Sequence, residues 1–190
     1  DLSAGAYTPA PTGEFAAHLS GNLFMPGAPP ACPGTGEFLD QLFDALVLGL
    51  RDYFEKVGAF ERFLVALSGG RDSALCLLLA VEAAKALKAG AGAPDYARRV
   101  KTAYLPHSAY SSDATQSAAR ALAEAFGVPF VVVGIDDESA IALEKAGELT
   151  GSKDRITPVA RQNLQARIRG SMMLNWANNE RGLLLVTSYL

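Results

Sequence analysis

Phe63 to Leu67 is an unbroken apolar run, too short for a helix, and Ser68-Gly69-Gly70 follows it at once. A long alanine- and leucine-rich segment then runs from about Ser73 to Ala89. This is the order strand, glycine loop, helix. The alternation continues down the chain. Val100 to Leu105 reads as a second strand, Asp113 to Phe126 as a helix, and Pro129 to Val133 as a third strand after the stop signal Gly127. Residues Ile135 to Ala160 are mixed, Arg161 to Asn179 is helical, and Leu183 to Val186 is a fourth strand after Gly182. Upstream, Phe38, Leu42, Ala45, Leu46, Gly49, Leu50, Tyr53 and Phe54 recur at three-to-four spacing, which predicts an amphipathic helix over Glu37 to Val57. Short apolar strands alternating with helices predict an α/β fold, a three-layer α/β/α sandwich around a mainly parallel sheet.

The 190 residues, 49% of them hydrophobic, suffice for one main domain with an extension. Residues 1–35 hold most of the prolines without period and read as a linker or irregular arm, which leaves 36–190 as the folded part. The chain opens without a methionine and ends on an apolar run, so a segment of a longer protein is expected. A net charge of -3 with no Lys/Arg run offers no general attraction to nucleic acid, so any bound anion needs a local site. No apolar stretch approaches the ~20 residues of a membrane span, and no signal peptide is visible. Cys32 and Cys76 stand far apart with no metal or disulfide spacing, which fits a reducing cytoplasm.

In a parallel sheet, ligands bind beyond the carboxyl ends of the strands, which is where Ser68 to Ser73 falls. Adjacent glycines can expose consecutive N–H groups, and the helix start adds its positive end, an arrangement suited to phosphate or pyrophosphate. Ser68 and Ser73 can each donate a hydroxyl hydrogen bond. Asp72 would repel a polyphosphate unless a divalent cation bridged the two, and magnesium is the hard cation that shares carboxylate and phosphate oxygens. Helix capping by Ser68 and Asp72 would explain those two residues but does not require Gly69-Gly70. Neither Walker A nor G-x-G-x-x-G fits. Ala66-Leu67-Ser68-Gly69-Gly70 is one change from the G-x-S-x-G elbow of hydrolases, yet the only later histidine is His107, with few acids before it.

Ser68-Gly69-Gly70-Arg71-Asp72-Ser73 resembles the S-G-G-x-D-S loop of the N-type, or PP-loop, ATP pyrophosphatases. Leu105-Pro106-His107-Ser108-Ala109-Tyr110-Ser111-Ser112 is similar to the M-P-S-x-Y-S-S segment of NAD synthetases. Asn163-Leu164-Gln165-Ala166-Arg167-Ile168-Arg169-Gly170 resembles that family's N-x-Q-A-R-x-R-G helix, and Leu184 to Ser188 its strand ending in a threonine. On the residues alone, Asn163, Arg167 and Gly170 share one helical face and Gln165 and Arg169 another, while Arg161 and Arg169 can equally be solvated arginines. Tyr110, Ser111 and Ser112 can equally be a turn and helix cap before Asp113.

The resemblance implies the adenine nucleotide alpha hydrolase-like fold, truncated at its C-terminus, and a ligase that converts deamido-NAD to NAD. ATP activates the substrate with release of AMP and pyrophosphate, and ammonia, free or from glutamine, completes the amide. It places ATP on Ser68, Gly69, Gly70, Arg71, Asp72, Ser73 and Thr187, magnesium on Asp72, and deamido-NAD on Asn163 and Arg167. It implies no nucleophilic residue and a homo-oligomer, a dimer or larger. The arm and the helix from Glu37 resemble the junction of the glutamine-dependent members. The alternatives are another PP-loop ligase, such as a GMP synthetase, or a nucleotide-binding module without turnover.

Overall fold

A computed structural model describes residues 35–87 and 96–187. The expected arm over residues 1–35 lies outside them, apart from Thr35, and so do Cys32 and the end of the helix expected to reach Ala89. The chain divides into two compact units, residues 1–42 and 43–190. The described part of the first is the opening of helix α1 (Thr35–Val57), where Gln41 Nε2 donates to Glu37 Oε1 at 3.3 Å.

The second unit follows the order β1 (Arg62–Ala66), α2 (Arg71–Ala86), β2 (Val100–Tyr104), α3 (Asp113–Ala125), β3 (Phe130–Val132), α4 (Asp136–Thr150), α5 (Pro158–Glu180) and β4 (Gly182–Leu185). All pairings are parallel, in the sheet order β3-β2-β1-β4. The α/β/α reading is borne out. Side chains on β1, β2 and β4 alternate between two layers, as a period of two requires. Phe63, Val65 and Leu67 join Val100 and Tyr104 under α2 and α3, where Leu77, Ala80, Val81, Ala119 and Ala123 are buried. Phe54 from α1 closes that layer, its ring 4.6 Å from that of Phe63. On the opposite face Ala66, Ala103, Leu105 and Leu184 meet Ile168, Met172, Met173 and Trp176 of α5, with Ile135 beside them.

Two helices are started by side-chain caps. Ser112 accepts the Thr115 N–H at the start of α3, and Thr157 accepts the Ala160 N–H at the start of α5, with Pro158 at the first helical position. The mixed stretch after Ile135 is where the structure adds an element, α4. Its buried positions include Ser139 and Gly147, whereas Ile141 and Leu149 are 61% and 90% exposed, so the apolar pattern that marks a helix is inverted.

At the far end of α5, Glu180 accepts from Lys101 Nζ on β2 at 2.9 Å and pairs with Arg62 on β1 at 3.0 Å. The Lys101 hydrogen bond, then the charges of Lys101 and Arg62, hold its carboxyl below the ordinary glutamate value. A depressed carboxylate pKa adds stability above the unfolded value and loses it as pH falls through the folded one. Glu180→Gln is expected to cost up to about 1 kcal/mol at neutral pH. Urea melts of that variant should also decline less steeply than the parent as pH falls through the carboxylate range.

Candidate functional site

β1 is central in the sheet, with β2 on one side and β4 on the other, so the loops leaving their carboxyl ends diverge there. Such a divergence opens a crevice. A cavity of about 470 Å³ lies in it, lined by Val65 and Ala66 of β1, Ser73 and Cys76 of α2, Arg169, Gly170 and Met173 of α5, and Val186 and Thr187 beyond β4. A smaller cavity of about 300 Å³ adjoins the turn, lined by Leu67, Ser68, Tyr104, Tyr110, Ser111, Thr115 and again Arg169.

The turn between β1 and α2 is held by its own serines. Ser73, 5% exposed, accepts the Ser68 N–H at 3.1 Å and donates to the Gly70 carbonyl at 2.9 Å. The Ser68 and Ser73 hydroxyls lie 3.0 Å apart, and Ser68 Oγ accepts the Gly70 N–H at 3.2 Å. With the Ser73 proton on Gly70, Ser68 is left as the donor of that pair. Gly69 has φ +79°, and a Cβ there would lie 2.5 Å from the Thr115 carbonyl oxygen. Two separate constraints therefore demand glycine, a left-handed backbone and the approach of α3. Gly70 stands at the N-cap of α2 with no side-chain cap. A helix that opens in this way presents the positive end of its dipole to an anion.

Ser73→Ala removes the acceptor of the Ser68 N–H and the donor to Gly70. The loss is expected to be about 1–3 kcal/mol, read as a lowered urea midpoint with unchanged slope. Ser73→Thr, which keeps the hydroxyl, should recover part of it.

Arg71 and Asp72 are exposed in the first turn of α2. Cys76, one turn on, has its thiol pKa pushed up, by burial first and then by the Asp72 charge, which leaves it a poor nucleophile at neutral pH. Among the described residues no three His, Cys, Asp or Glu side chains gather as a metal cage. Magnesium commonly needs only one or two carboxylates, with phosphates and water completing its shell, and Asp72 is a carboxylate of that kind.

The structure brings together Ser73 and Thr187 in the larger cavity and places Ser68 on the smaller one. Asn163 and Arg167 are exposed on α5 and line neither. The cation that lines both is Arg169, whose Nε donates to the Leu105 carbonyl at 2.9 Å. Burial pulls its pKa down, and at neutral pH it remains a cation. Its Nη atoms form no hydrogen bond among the described residues. On α5 it stands beside Gly170, three residues after Ala166 and four before Met173, all of which line the same cavity. Tyr110 and Ser111 line the smaller one, so the segment after β2 belongs to the site region as well as forming a turn.

A serine hydrolase would need histidine on Ser68. Ser68 instead engages Ser73, while His107 Nδ1 accepts the Ala109 N–H at 3.2 Å and lies 3.5 Å from Asp136. The triad geometry is missing among the described residues.

The sequence model of the NAD synthase family matches residues 42–190. The chain is 35% identical over 149 residues to a glutamine-dependent NAD(+) synthetase of Thermotoga maritima, a match covering 78% of this chain and 23% of that protein. A protein of the same name from Aquifex aeolicus is 36% identical over 150 residues, with 78% and 24% covered. The chain spans about a quarter of the length of these curated relatives. Among solved structures, the glutamine-dependent NAD+ synthetase of Acinetobacter baumannii in complex with ADP superposes with TM-score 0.68 at 30% identity, covering 83% of this chain and 27% of that one. The NH3-dependent NAD synthetase of Campylobacter jejuni, bound to nitrate, gives 0.56 at 25% identity, covering 77% and 56%.

Proposed function

The chain belongs to the NAD synthase family, and from that premise we propose that it carries the ATP-activating loop of a ligase that amidates deamido-NAD to NAD. The observation that carries the reading is the glycine turn after β1, whose flanking Ser68 and Ser73 line one cavity each, with Arg169 lining both. The nicotinate carboxylate attacks the α-phosphorus of ATP and pyrophosphate departs. Ammonia then attacks the acyl carbon of the adenylate, loses a proton, and AMP leaves.

No protein nucleophile is required, since the chain's task is to position and neutralise charge. The Gly69 and Gly70 backbone and the start of α2 receive the departing pyrophosphate, and Ser68 reaches an oxygen by turning its hydroxyl from Ser73. Arg71, beside the turn, and Thr187, in the crevice, complete the nucleotide contacts. Arg169 offers its free Nη donors to phosphate. Asp72 holds magnesium, which supplies charge neutralisation on the pyrophosphate when bound. Asn163 and Arg167, exposed on α5, receive deamido-NAD on that outer surface, as at a junction with a second copy of the chain. This gives the exposed pair a role and makes the working unit a homo-oligomer.

Glutamine is the proposed source of nitrogen, in keeping with the names of the relatives. The proposed compartment is the cytoplasm. No described helix is long and apolar enough to cross a membrane.

The test is pyrophosphate and AMP release by the full-length protein given ATP, magnesium and deamido-NAD, with glutamine or ammonium as donor. Release that depends on deamido-NAD is expected. ATP binding without AMP formation, or release driven by a different nucleotide acid, would overturn the reading.

A further inference from the structure

A third cavity, of about 310 Å³, lies among α4, α5 and the turn after β2. Leu143 and Leu164 form apolar wall, and Tyr110, its ring centroid 4.9 Å from that of His107, belongs to both this cavity and the one beside Ser68. The unexplained group is Ser139. It is 8% exposed, lines the cavity, and its hydroxyl oxygen is shut off from solvent with no hydrogen-bond partner. A polar atom buried that way is unfavourable unless something else satisfies it.

Charges of both signs also line this cavity. Arg161 spends Nε on the Ile156 carbonyl at 3.4 Å and Nη2 on the Lys153 carbonyl at 3.1 Å, while its Nη1 forms no hydrogen bond among the described residues. Asp136 receives the Ser108 N–H at 3.0 Å and the Ser108 hydroxyl, both on Oδ1, so Oδ2 keeps acceptor capacity beyond a 3.3 Å contact with the same N–H. Gln165 lines the cavity and makes no side-chain hydrogen bond among the described residues. A molecule that satisfies this set carries a carboxylate for Arg161 and for the Ser139 hydroxyl once that side chain rotates toward the cavity, an ammonium for Asp136, and an apolar body for Leu143 and Leu164.

We infer that this cavity is a binding site for a free α-amino acid with an uncharged, apolar side chain. A simple anion would leave Asp136 facing it, and a simple amine would face Arg161. The volume is at the small end of ligand pockets, which suits a molecule of that size.

Calorimetric titration of the full-length protein with L-leucine tests the assignment, with 4-methylpentanoate and 3-methylbutylamine as probes that each lack one charge. Saturable binding of L-leucine is expected, with each half-probe weaker by about tenfold or more. Ser139→Ala should weaken L-leucine by about tenfold while leaving thermal stability equal to or above the parent, because the orphan hydroxyl is gone. Arg161→Gln should bring L-leucine down to the level of 3-methylbutylamine. No binding of L-leucine, equal binding of 4-methylpentanoate, or undiminished binding by a folded Ser139→Ala would overturn the inference. Displacement of L-leucine by saturating deamido-NAD would assign the cavity to that substrate and overturn it as well.

Discussion

Asp72→Asn in the full-length protein is expected to lower deamido-NAD-dependent pyrophosphate release by about 10²–10³-fold, the scale on which loss of one preorganised charge partner acts. The argument rests on position. Asp72 lies in the first turn of α2, next to donors that favour an anion, and a carboxylate there opposes a bound polyphosphate unless a cation intervenes. Asparagine keeps the size and removes the charge, so the variant isolates the effect of the charge. Raising magnesium should restore part of the activity if the lost function is metal affinity. Undiminished turnover in a folded Asp72→Asn protein would sink the magnesium assignment and leave the nucleotide assignment standing.

Gly69→Ala is expected to be the most damaging single-methyl change in the turn. A left-handed φ costs a non-glycine residue about 1–2 kcal/mol, and forcing a methyl group into packed backbone adds about 1–3 kcal/mol. The methyl would meet the Thr115 carbonyl oxygen at 2.5 Å and Thr115 Cα at 3.0 Å, which are backbone atoms of α3 and have no rotamer to yield. A loss of about 2–5 kcal/mol in urea unfolding is expected, together with loss of ATP-dependent turnover as the turn shifts away from α3. Gly70→Ala is the control, since its Cβ would meet the Ser68 hydroxyl at 3.2 Å and its φ is negative. A Gly69→Ala protein as stable as the parent would contradict the packing described.

The sheet was legible because its strands are short, mostly apolar runs bounded by loop residues, although full burial is confined to the centre of β1 and most of β2, with β3 partly exposed. Boundaries moved little: the helix expected from about Ser73 begins at Arg71, and the strand expected over Leu183 to Val186 runs Gly182–Leu185. α4 was hidden because its buried positions include serine and glycine, with large apolar residues outside. Within the site, the glycine turn could be read directly, since two adjacent glycines between a strand and a helix have few other uses. Arg169 could not be singled out. An arginine on a helix reads as solvated until the packing of Ala166, Gly170 and Met173 shows which way that face points. Nor could periodicity show that Asn163 and Arg167 stand outside both cavities, because shared helical spacing tells which residues are neighbours and not what they face.

α3 and α5 are closed by the hydroxyls of Ser112 and Thr157, and α2 opens on a bare glycine. On the proposed reading, the nucleotide's phosphates would serve as the cap that Gly70 has no side chain to supply, a piece of secondary structure brought from solution. Ligand concentration and heat resistance would then be linked, because a ligand that finishes a helix of the folded state stabilises it by RT ln(1 + L/Kd), with L its free concentration, which goes on rising after the site is full. Pyrophosphate alone, without adenine or ribose, would already do so.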